Sequence, residues 1–108
     1  MLSSIVVACA LSLATPQWEQ TCEGCQVSWP SCSQIPSPCD PGDYQCCLDT
    51  WVAEMQCCGG LHYEGTTCCG AYCEEGQEMK DCNKYHDNAN KACLAVAQAL
   101  FNLCAEIE

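Results

Sequence analysis

The chain contains no arginine and only three lysines, against 14 acidic residues, for a formal net charge of −11 over 108 residues. Phosphate backbones are held by clustered Lys and Arg, so this balance excludes a DNA- or RNA-binding protein. No apolar run approaches the roughly 20 residues needed to span a bilayer. No Asn-X-Ser/Thr acceptor for an ordinary N-glycan occurs. Cys-x-Cys is also missing, and with it the spacing of a metallothionein-like metal store. Large side chains are few: one Phe, three Trp and four Tyr. A chain this short is not a multidomain enzyme, and it has little apolar area with which to offset the entropy of ordering.

Cysteine is what the chain has in quantity, 15 residues in all. A reducing compartment would leave that many thiols unpaired, which argues against the cytosol. The apolar run Ile5 to Ala14 has the length of a secretory h-region, and Ser12-Leu13-Ala14 supplies small residues before a cleavage site. The segment before the run has no Lys or Arg, so a short buried helix is the alternative. Residues 1–14 are expected to be a signal peptide, and 15–108 a single disulfide-rich domain without a transmembrane segment, secreted and extracellular. Cleavage after Ala14 removes Cys9 and leaves Cys22, Cys25, Cys32, Cys39, Cys46, Cys47, Cys57, Cys58, Cys68, Cys69, Cys73, Cys82, Cys93 and Cys104. That set is even in number, as complete pairing requires.

The spacing is regular. Cys25, Cys32, Cys39 and Cys46 lie seven apart. Cys46, Cys57 and Cys68 lie eleven apart, as do Cys47, Cys58 and Cys69, and again Cys82, Cys93 and Cys104. Pro30, Pro36, Pro38 and Pro41 forbid a helix in the first block, so 15–42 reads as stapled loops and turns. Residues 43–58 read as a helix, with Asp43 as N-cap and Gly59-Gly60 as stop. Its apolar arc comprises Tyr44, Cys47, Leu48, Trp51, Val52, Met55 and Cys58. Cys46, Asp49, Thr50, Ala53, Glu54 and Cys57 cover the other side, so each Cys-Cys pair straddles two faces. Residues 59–77 hold five glycines and read as a loop.

Residues 78–106 read as a second helix. Eleven residues advance three turns plus about 20°, which sets Cys82, Cys93 and Cys104 on one stripe. His86, Ala89, Val96, Ala97, Leu100, Phe101 and Ile107 flank it, with Lys91, Gln98 and Asn102 opposite. The expected fold is therefore small, disulfide-rich and mainly α: an antiparallel helical hairpin, 43–58 and 78–106, with a stapled N-terminal loop region. Such a hairpin predicts bridges Cys47–Cys93 and Cys58–Cys82, since bridged Cα atoms must approach within about 7 Å.

Several constellations carry chemical readings. Cys22-Glu23-Gly24-Cys25 is a C-x-x-C, but it lacks the βαβ setting of a redox dithiol, and two His are few for zinc. Structural disulfides are the expectation, with no metal and no cofactor. Glu74, Glu75, Glu78 and Asp81 cluster at a loop–helix junction without EF-hand spacing. Lys80, Lys84 and Lys91 share one helix face, either a contact surface for a partner or a solvated stripe. Trp18, Trp29 and Trp51 suit either core or contact.

The segment Asp81-Cys82-Asn83-Lys84-Tyr85-His86-Asp87-Asn88 resembles the active-site helix of secretory phospholipases A2, in which Cys-Cys-x-x-His-Asp carries the catalytic His and a calcium-binding Asp. Cys82 keeps the family's spacing to His86, and Cys69-Gly70 resembles the start of its calcium loop. The resemblance covers residues 68–88 and implies a calcium-dependent lipid hydrolase using His86 and Asp87. Asn83 stands where the family has its second Cys, and Tyr72 and Cys73 where its loop has glycines. The alternative is a histidine packed against disulfides beside a solvated aspartate.

The broader resemblance is to small secreted cysteine-rich proteins. Cys32-x6-Cys39-x6-Cys46-Cys47 is similar to the opening of a knottin, the repeated Cys-Cys pairs to granulins, and the acidic, Lys-poor composition to ciliate pheromones. These families imply a non-enzymatic extracellular binding protein (a signal, toxin-like factor or effector) that recognises a receptor or other extracellular target. A structural or surface-coat protein is a further alternative.

Overall fold

The computed structural model describes residues 18–105. The expected signal segment with Cys9, and Ile107, lie outside them. A 3-10 turn, Glu23–Cys25, is followed by an irregular strap over 26–43 and by two 29-residue helices, α1 (Tyr44–Tyr72) and α2 (Gln77–Ala105), packed as an antiparallel hairpin. Each helix is about 43 Å long at 1.5 Å per residue. The molecule is a thin plate of 48 × 30 × 16 Å.

Asp43 caps α1 as expected: its side chain accepts the Cys46 N–H at 3.3 Å. The helix does not stop at Gly59-Gly60, however. It runs on to Tyr72, so most of the expected 59–77 loop is helical. Each mid-helix glycine costs about 1 kcal/mol relative to alanine. That cost is local, whereas Cys57 and Cys58 before the glycines and Cys68 and Cys69 after them are all bridged to other parts of the chain. Leu61, fully buried, anchors the same stretch. The true turn is short. Gly76 adopts φ +106°, a left-handed conformation that suits glycine, and the Glu78 carboxylate reaches back to accept the Glu74 N–H at 2.7 Å.

Seven disulfides join all fourteen cysteines from Cys22 to Cys104, with Cα separations between 4.6 and 5.9 Å. Three cross the hairpin: Cys47–Cys104, Cys58–Cys93 and Cys69–Cys82. The expected Cys47–Cys93 and Cys58–Cys82 bridges are thus displaced by one eleven-residue repeat. The cause is the extra length of α1, which moves the turn and slides the register one step along α2.

The first cysteine of each α1 pair faces the other way. Cys39–Cys46, Cys32–Cys57 and Cys25–Cys68 staple the strap along α1, and Cys22–Cys73 closes the end. Seven strap residues therefore match eleven helical ones. Eleven helical residues rise about 16 Å, and seven extended residues reach at most about 25 Å. The seven-residue spacing is thus a non-helical chain, with slack, keeping pace with a helix.

Because the strap covers α1, its burial differs from the expected arc. Thr50, Ala53, Glu54 and Cys57 are buried, while Tyr44 and Val52 are exposed. Leu61 is the one large aliphatic side chain fully buried among the described residues; the other core positions are mostly half-cystines. Sulfur here occupies the place that leucine and phenylalanine hold in larger domains.

Candidate functional site

At the turn end of the plate, Cys25, Cys68, Cys69, Cys73 and Cys82 form a sulfur core, with Trp18 and Met79 against it. His86 is fully buried beside it. Its Nε2–H donates to the Cys25 carbonyl at 2.7 Å, and its Nδ1 accepts the Trp29 indole N–H at 3.0 Å. The tautomer follows from chemistry: a carbonyl only accepts, and an indole N–H only donates. Tyr85 and Trp18 meet the ring edge-on at 5.0 and 5.4 Å, and Trp29 stacks at 6.1 Å. Burial holds the His86 pKa below its ordinary value, partly offset by the bond to the Cys25 carbonyl.

Gly65 makes this packing feasible. A Cβ at that position would meet the imidazole, with Cγ only 2.6 Å away. His86 and Asp87 do not converge. Asp87 lies on the exposed face and pairs with His62 (Nε2 to Oδ1, 2.7 Å). Water activation requires a free ring nitrogen in reach of substrate, and both nitrogens of His86 are bound inside the protein. The packed histidine beside a solvated aspartate, offered above as the alternative to the lipase-like reading, describes this geometry.

The α2 stripe holds as read: Cys82, Cys93 and Cys104 all face α1. Lys80, Lys84 and Lys91 are exposed on α2. None takes part in an ion pair among the described residues, where His62–Asp87 is the sole pair. Glu74, Glu75, Glu78 and Asp81 are exposed around the turn; Glu78 caps a backbone N–H, and Asp81 accepts from Gln77 at 2.7 Å.

Sulfur atoms gather closely enough to suggest metal groups, for example Cys69, Cys82 and His86. Zinc and similar ions take thiolates. Each such group contains a cystine, and a disulfide sulfur carries no ligating charge.

The open end of the hairpin holds a feature that the sequence reading missed. A cavity of about 260 Å³ lies between the strap, α1 and α2. Ile35, Pro41, Trp51, Leu100, Phe101 and Leu103 supply most of its apolar wall. Glu54 also lines it and is only 3% exposed. One of its carboxylate oxygens accepts the Gln34 N–H at 2.8 Å, which ties the strap down. Burial raises the Glu54 pKa, and the Gln34 bond lowers it in part. Among the described residues the buried Trp51 indole N–H has no partner, while its ring tilts against Phe101 at 5.4 Å. The available signal was positional: Glu54 falls on the Cys46–Cys57 face of α1, which the strap covers.

Compared with protein-family models, curated proteins and solved structures, the chain matches none. No helix among the described residues is long and apolar enough to cross a membrane. The class defined so far is therefore structural: a small, disulfide-rich, mainly α hairpin.

Proposed function

We propose that this is a secreted, non-enzymatic protein that acts by binding an extracellular partner through a rigid surface, in the manner of small cysteine-rich signals and effectors. The observation that carries the reading is the cystine ladder. Seven bridges fix a plate with hardly any conventional core, and bridges of this kind persist in oxidising compartments. Such cross-linking orders a surface before binding, so little conformational entropy remains to be lost on association. The three lysines on α2 are the candidate contact. They carry all the positive charge of the lysine and arginine side chains on an otherwise acidic molecule, and they complement an acidic patch on the partner.

The test is binding to intact cells by protein labelled at a C-terminal tag. Saturable binding sensitive to protease treatment of the cells is expected. Replacing Lys80, Lys84 and Lys91 together by Gln should weaken it at unchanged helicity and unchanged bridge count. No saturable binding, or equal binding by the triple variant, contradicts this assignment of the contact face.

A further inference from the structure

We infer that the cavity at the open end of the hairpin is a binding site for a small apolar amine, whose ammonium group sits on Glu54. This site is separate from the lysine face and does not depend on the partner proposed above.

Three observations lead there. First, size: an apolar cavity of about 150 Å³ is enough to hold a benzene ring. About 260 Å³ accommodates a ring with a short arm. Second, lining: aromatic and aliphatic side chains surround one deeply placed carboxylate, the pattern of a pocket that takes an apolar body and orients it by a single polar group. Third, charge. Glu54 is buried with a backbone N–H as its hydrogen-bond donor, and no Lys or His lies among the cavity-lining residues. A buried carboxylate without a counter-charge is costly, and a cation brought by a ligand supplies what the fold omits. Trp51 and Phe101, both in the lining, are aromatic rings of the kind that favours a cation. The net charge of −11 raises the local concentration of small cations over that of anions.

An anionic ligand would face Glu54 directly, and a purely apolar one would leave it without a counter-charge. A neutral alcohol donates a hydrogen bond but brings no charge. The ordering expected is therefore amine above alcohol above acid for one carbon skeleton.

The probes are 2-phenylethylamine, 2-phenylethanol and phenylacetate, titrated into the oxidised protein by calorimetry at neutral pH. The amine should bind about tenfold or more tighter than the alcohol, because it adds a counter-charge to the hydrogen bond on the carboxylate. Phenylacetate should not bind. Glu54→Gln, which keeps the acceptor for Gln34, should weaken the amine about tenfold and the alcohol much less. Leu103→Trp, at an exposed lip position, should abolish binding of both and cannot disturb the core. Equal affinity for amine and alcohol, an undiminished amine affinity in Glu54→Gln, or no heat with any probe would each overturn the assignment. Should Glu54→Gln misfold, Leu103→Trp decides alone: amine binding that survives it is not in this cavity.

Discussion

Three glycines on one helix should respond to alanine with opposite signs. Gly59 and Gly70 face open space, and among the described residues nothing beyond the adjacent residues and the helix's own backbone stands within 4 Å of a Cβ built on either. Alanine there removes unfolded-state freedom and introduces no clash, so each substitution should stabilise α1 by about 0.5–1 kcal/mol. Gly65 sits under His86, whose ring is pinned by two hydrogen bonds and three aromatic neighbours. The ring cannot retreat without breaking a bond. Overpacking costs about 1–3 kcal/mol, and a buried polar group left without a partner costs a similar amount. Set against the propensity gain, Gly65→Ala should destabilise by about 1–5 kcal/mol. The assay is guanidinium unfolding with disulfides intact, followed by far-UV circular dichroism. The Trp29 indole proton in NMR reports separately on the His86 contact; it should shift in Gly65→Ala and stay in place in the other two. If all three variants move stability the same way, either the helix through 59–72 or the packing at His86 is wrong.

Other consequences follow from the buried polar groups. Trp29→Phe deprives His86 Nδ1 of its donor and should cost about 1–3 kcal/mol in the same unfolding assay. Since the folded-state pKa of His86 lies below its ordinary value of 6.5, its contribution to stability is present above that pH and is lost as pH falls through the folded value. Unfolding midpoints should therefore drop on acidification below 6.5, and less so in Trp29→Phe, whose imidazole is already less well held. Glu54 has the opposite sign, with a folded-state pKa raised above 4.5, so its contribution is present below 4.5 and is lost as pH rises through the folded value. Glu54→Gln should accordingly be more stable than the parent at neutral pH, an advantage that disappears below pH 4.5.

Much of the architecture was legible because cysteine spacing is geometry. Eleven residues on an α-helix return nearly to the same face, so Cys82, Cys93 and Cys104 announced a stripe, and the doubled cysteines of 46–47, 57–58 and 68–69 announced two neighbours for one helix. What local reading missed was the continuation through Gly59-Gly60. Glycine is a stop only when nothing beyond it is held, and here the holding contacts are long-range bridges to Cys25, Cys32, Cys82 and Cys93. The register error follows from that one residue pair. The burial of His86 was readable from its place beside the cysteine stripe. Its partners, the Cys25 carbonyl and Trp29, lie about 60 residues away, beyond any periodicity argument. Glu54 was assigned to the side opposite the apolar arc, where an isolated amphipathic helix would meet solvent. The strap covers that side, and the seven-to-eleven match between strap and helix was the clue to it.

Disulfide mapping bears most directly on the ladder. Intact mass before and after reduction should show two hydrogens gained per bridge for seven bridges. Partial reduction with stepwise alkylation, needed because adjacent cysteines cannot be separated by protease, should then join Cys47 to Cys104, Cys58 to Cys93 and Cys69 to Cys82. Free thiols among Cys22 to Cys104, or a Cys47–Cys93 linkage, would contradict the hairpin register and everything built upon it.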